Sequence, residues 1–169
     1  MFRPRKTFPA LALLSLAGCG GSAGGDSTLG PADERFNATL AGTSVVPATT
    51  STSTGTITLE ARDSTLSFSL SVTNMGSITQ AHLHYAAAGA NGATLVWLLP
   101  VNGNAAQSPS VVLDGVISVG DISPAWVRGT PRLAMDSVKA LMRAGRVYVD
   151  VHSSTFTNGE LRGQISRAP

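Results

Sequence analysis

All three histidines of this 169-residue chain lie in two short segments, one of which also holds a carboxylate. In Ala81-His82-Leu83-His84-Tyr85 two imidazoles stand two residues apart. In Val147-Tyr148-Val149-Asp150-Val151-His152 an aspartate precedes the third by the same spacing. On an extended strand, residues i and i+2 share a face. His82 and His84 therefore project together, and so do Tyr148, Asp150 and His152, opposite three valines. In Glu160-Leu161-Arg162-Gly163-Gln164-Ile165 the apolar side is Leu161 and Ile165, so Glu160, Arg162 and Gln164 share the other. If these strands are neighbours, His82, His84 and His152 converge with a carboxylate. Such a set matches the ligands of many zinc and copper sites. Because only three nitrogen donors exist, water, Glu160 or Asp150 would complete a four-coordinate site. A carboxylate could also orient an imidazole through its second nitrogen. The competing reading is plainer: half-exposed polar residues that hydrogen-bond to loops.

Other residues offer less. No serine sits in a Gly-x-Ser-x-Gly turn, so a nucleophile elbow is not expected. Gly89-Ala90-Asn91-Gly92 follows a strand but precedes no helix, and it reads as a turn rather than a phosphate cradle. Trp97 and Trp126 could line a sugar-binding surface, although Trp97 within Leu95-Val96-Trp97-Leu98 reads as packing.

The elements that must position the histidines are strands. Leu66, Phe68, Leu70 and Val72 alternate with Ser67, Ser69 and Ser71, a period of two that no helix can bury on one side. The same alternation runs through Phe36–Leu40 and Thr56–Glu60, and Asp63-Ser64 reads as a tight hairpin connection. Further strands are expected at Gln80–Tyr85, Thr94–Leu98, Ser110–Val119, Arg146–His152 and Glu160–Ser166. Between Asp121 and Ala144, Leu133, Val138, Leu141 and Met142 fit helical spacing. Asp136 or Ser137 could cap that helix and Gly145 could end it. The expected architecture is all-β: an antiparallel β-sandwich or flattened barrel of about eight strands with one short inserted helix.

Charge and composition narrow the functional classes. Residues 1–18 read as a signal peptide: Arg3, Arg5 and Lys6 form a positive start, and Phe8 to Ala17 an apolar run too short to span a bilayer. Leu16-Ala17-Gly18-Cys19 resembles the bacterial lipobox, in which the cysteine is acylated and becomes the mature N-terminus. Cys19 is the sole cysteine, so no disulfide framework is expected. Residues 19–34 hold five glycines after the cysteine and read as a flexible tether, leaving 35–169 as the folded domain. This organisation implies a membrane partner through lipidated Cys19 and a place in the bacterial cell envelope. Gly20 follows the cysteine, and by the enterobacterial sorting rule this directs the protein to the outer membrane. Without the leader the chain carries nine basic and ten acidic side chains, with Lys139 the lone lysine. A near-neutral domain without a basic cluster excludes nucleic acid as an expected partner.

At the same strands the sequence resembles the CHRD domain, a module named after chordin and widespread in bacterial secreted proteins and lipoproteins. Phe36-Asn37-Ala38-Thr39-Leu40-Ala41-Gly42 with Val45-Val46-Pro47 resembles the family's opening strand and "EVPP" turn. Ala81-His82-Leu83-His84 with Gly89-Ala90-Asn91-Gly92 is similar to "AHIH…G…NG". Residues 144–153 resemble "aGnaYVNVHT", and residues 158–165 resemble "PGGEIRGQI". Val45 departs from the usual acidic residue, Asp150 from Asn and Ser153 from Thr. The resemblance implies a β-sandwich-like extracellular domain without an established enzymatic activity. The leading expectation is a lipid-anchored, non-catalytic binding module with a protein or glycan ligand. The alternatives are a copper or zinc protein, either a plain binder or a redox enzyme, and a structural envelope protein.

Overall fold

The computed structural model describes residues 34–100, 112–129 and 131–169. The expected signal peptide, Cys19 and the tether up to Asp33 lie outside the described residues, as do the first residues of the strand expected from Ser110. Nine strands follow in order: β1 (Glu34–Ala41), β2 (Thr54–Arg62), β3 (Thr65–Gly76), β4 (Ile78–Tyr85), β5 (Ala93–Leu99), β6 (Val112–Ile122), β7 (Val147–Ser153), β8 (Leu161–Gln164) and β9 (Ser166–Arg167). One helix, α1 (Met135–Arg143), precedes β7. The strands form one antiparallel sheet in the order β5-β4-β7-β8-β1-β2-β3-β6, with β9 beside β1. It curls into a nearly closed eight-stranded barrel. Its two end strands meet where the Ser118 hydroxyl donates to the Leu98 carbonyl at 2.6 Å.

The period-two pattern determines which side chains enter the barrel. Across β2 and β3, Ile57 faces Leu70, Leu59 faces Phe68 and Ala61 faces Leu66, all buried. Their neighbours Thr58, Ser69, Glu60 and Ser67 point the other way. Burying each large apolar side chain contributes about 1.5–3 kcal/mol. Leu83, Val147, Val149, Val151 and Leu161 add the inward faces of β4, β7 and β8 to the same core. The Asp63-Ser64 connection forms as expected, with Asp63 in the left-handed region at φ 40°.

The helix starts earlier than its caps suggested. Neither Asp136 nor Ser137 caps it; Ala134 occupies the cap position and offers no side-chain hydrogen bond. Burial of Met135 and Val138 explains this, since packing a methionine outweighs the ~1 kcal/mol of a missing cap. Asp136 instead pairs with Lys139 at 2.9 Å in the first turn. Gly145 ends the helix at φ 63°; its N–H donates to Met142 and the Arg146 N–H to Leu141, a Schellman closure. Glu34, expected as the last tether residue, opens β1 and pairs with Arg143 at 2.7 Å.

Candidate metal centre

Strand register brings the histidines together. Trp97 on β5 pairs with His82 on β4, His82 with Asp150 on β7, and Asp150 with Arg162 on β8. A parallel row runs Thr94, His84, Tyr148, Gln164, and His152 pairs with Gln80. Directly opposed residues hold their Cβ atoms about 4.5–5.5 Å apart. His82, His84, Asp150 and His152 therefore sit side by side on the face away from the barrel core. That face is not the solvated surface the sequence suggested. The loops around Val45–Pro47, Asn91–Gly92 and Thr157–Gly159 cover it, and Tyr148, Asp150 and Arg162 are all buried.

Hydrogen bonds assign the tautomers. His84 Nδ1 lies 2.9 Å from the Gly92 carbonyl and His152 Nδ1 lies 2.8 Å from the Thr157 carbonyl. His82 Nδ1 lies 3.2 Å from Asp150 Oδ1. Carbonyl and carboxylate oxygens only accept, so each Nδ1 carries the proton and donates. All three Nε2 atoms then present lone pairs, and all three are buried without a hydrogen-bond partner. The Nε2 atoms of His84 and His152 each stand 3.1 Å from Asp150 Oδ2, close enough for an ion pair but without hydrogen-bond geometry. One donor atom from each of the four residues lies within 4.8 Å of the others. Converging lone pairs and a carboxylate repel one another unless a cation stands between them. The cluster could hold a metal ion.

The titration of the site points the same way. Burial alone would raise the Asp150 carboxyl, but hydrogen bonds from His152, His82 and His84, those of His152 and His84 made through Nε2 when the imidazole is protonated, outweigh it and hold the group far below the usual carboxylate range. Burial would lower His152; the Asp150 carboxylate beside it wins and lifts the imidazole above its ordinary value. The pocket keeps its negative charge and attracts positive charge, whether a proton or a metal ion. Burial also raises the Tyr148 phenol, which stays protonated.

The surrounding residues fix the imidazoles. Gly92 carries the carbonyl that orients His84, and a side chain there would collide with the Tyr85 carbonyl, so the turn requires glycine. The Gly92 N–H donates to the Tyr148 hydroxyl at 3.3 Å. Tyr148 stacks on His84 with ring centroids 4.8 Å apart, and Trp97 meets His82 edge-on at 4.4 Å. Glu160, weighed with Asp150 as a ligand, is elsewhere. β8 pairing begins at Leu161, and the Glu160 carboxylate accepts from the Ser51 and Ser53 hydroxyls at 2.7 and 3.2 Å. Trp97 packs, as its sequence context suggested, but it packs against a histidine of the cluster. No sequence signal gave Tyr148 or Arg162 a role, because that role depends on which strands are neighbours.

A nearly closed antiparallel barrel with this cluster on a covered face defines an all-β binding module. A family model of the CHRD domain matches residues 36–165, and the chain belongs to the CHRD domain family. No curated protein and no solved structure matches it.

Proposed function

We propose that this protein is a metal-binding CHRD module, held on the bacterial cell envelope by a lipid on Cys19 and acting by binding rather than catalysis. The observation that carries the reading is the set of three buried Nε2 atoms without a hydrogen-bond partner, those of His84 and His152 standing 3.1 Å from the ionised Asp150 carboxylate. Loops would leave such atoms hydrogen-bonded; here the loops take only the Nδ1 positions. His82, His84, His152 and Asp150 supply three nitrogens and one oxygen, a donor set suited to Zn(II) or Cu(II). Asp150 also orients His82 through Nδ1, as carboxylates beside metal-bound imidazoles do.

Elemental analysis of untagged protein and calorimetry with Zn(II) and Cu(II) test this. One equivalent should bind tightly, bind less well near pH 5, and be lost in His84→Ala. Binding that is absent, or indifferent to His84→Ala, overturns the metal reading. The anchor rests on the lipobox-like Leu16-Ala17-Gly18-Cys19. Cys19→Ala should accumulate as unprocessed or mislocalised precursor, and recovery of processed, membrane-bound Cys19→Ala protein would count against the anchor.

A further inference from the structure

We infer that the centre takes a compact anion as an additional ligand, coordinated to the metal on its open side and held by Arg162. This rests on the metal reading above. A cleft of about 420 Å³ lies against the cluster, and His84, Asp150 and His152, three of the four donors, line it. A metal held by these atoms presents its cleft side to a further ligand, and zinc and copper sites accept a fifth donor.

Charge and hydrogen bonding identify the ligand's class. Arg162 also lines the cleft and is 3 % exposed. Its guanidinium donates to the Asn91 side-chain carbonyl at 3.1 Å and to the Ala90 carbonyl at 2.8 Å, and lies 3.5 Å from the Tyr148 ring centroid. These partners are neutral, and a guanidinium has five N–H donors, so donors remain for another acceptor. Among the described residues lining the cleft, Asp150 is the sole carboxylate. A divalent ion and Arg162 therefore bring three positive charges against one negative charge. Buried uncompensated charge is costly, and an anion supplies what the walls lack. Strand register sets Arg162 directly across from the ligand Asp150, and both residues line the same cleft. A carboxylate end or a similar small anion suits both a metal and a guanidinium. The Tyr148 hydroxyl accepts from the Gly92 N–H, so its own proton is left to donate.

The probe is azide. The full-length protein is loaded with Cu(II), the copper is counted by elemental analysis, and sodium azide is titrated while the azide-to-copper charge-transfer absorption is followed. One saturable azide per copper is expected. In Arg162→Met the copper count should hold while azide affinity falls about tenfold, the scale of one charge-assisted hydrogen bond. Should Arg162→Met fail to fold, Asn91→Ala serves: it frees one end of the guanidinium at an exposed loop and should weaken azide roughly threefold. Copper-loaded protein that shows no azide band overturns the inference and leaves the metal reading standing. So does azide affinity unchanged in a copper-replete Arg162→Met or Asn91→Ala protein. A wild type that binds no copper brings down both.

Discussion

The outward faces of β2 and β3 carry Thr56, Thr58, Ser67 and Ser69; those of β4 and β7 carry His82, His84, Asp150 and His152. Both halves turn an apolar face into one barrel core. They differ in what lies outside. The serine and threonine ladder meets solvent, and small hydroxyls there suit a pleated surface that must stay wet. The histidine face is roofed by loops, so each polar group on it must find a partner. The Nδ1 atoms hydrogen-bond to carbonyl and carboxylate oxygens, while among the described residues the Nε2 atoms have no hydrogen-bond partner. The contrast separates polarity that only keeps a sheet soluble from polarity arranged to receive something.

The sharpest way to break that comparison is in the shared core. Leu70 is fully buried opposite Ile57, so Leu70→Ala should destabilise the fold by about 3 kcal/mol, read by denaturant unfolding. Loss well under 1 kcal/mol would mean that the barrel interior is not packed as described. Next comes Asp150→Asn. Removing the sole carboxylate of the cluster should weaken metal binding by more than about 100-fold, beyond the effect typical of an outer-shell partner.

The pH dependence of the metal-free protein should separate the two faces further. Asp150 is held below its ordinary value, so its contribution is present above about pH 4 and is lost as the pH falls. His152 is held above its ordinary value, so its contribution is present below about pH 6.5 and is lost as the pH rises through the raised value. Thermal melts should therefore show this pair stabilising most between roughly pH 4 and 6.5. Stabilisation by added metal should run the opposite way and grow with pH, since bound imidazoles must be neutral. A metal effect that grows on acidification would contradict the site. The smallest effect is expected at Ser67→Ala, which removes an exposed hydrogen bond to Asp121 at 2.6 Å on the solvated face. Its stability should stay within about 0.5 kcal/mol of wild type.

Much of this was legible in the chain. The alternation of Leu66, Phe68, Leu70 and Val72 determined a half-buried strand, and His82-Leu83-His84 determined two imidazoles on one face, because side-chain direction in a strand is a local consequence of the pleat. Gly145 marked a helix end for an equally local reason, the left-handed conformation that glycine adopts without strain. Tertiary structure alone decided the rest. It set Asp150 rather than Glu160 among the histidines, since pairing between β7 and β8 stops at Leu161 and the serines of another loop take the Glu160 carboxylate. It roofed the polar face, buried Arg162 beside Tyr148, and lined up Trp97, His82, Asp150 and Arg162 across four strands. Those facts depend on strand order and register, which join residues as far apart as His82 and Asp150, 68 positions, through long-range backbone pairing that no local pattern encodes.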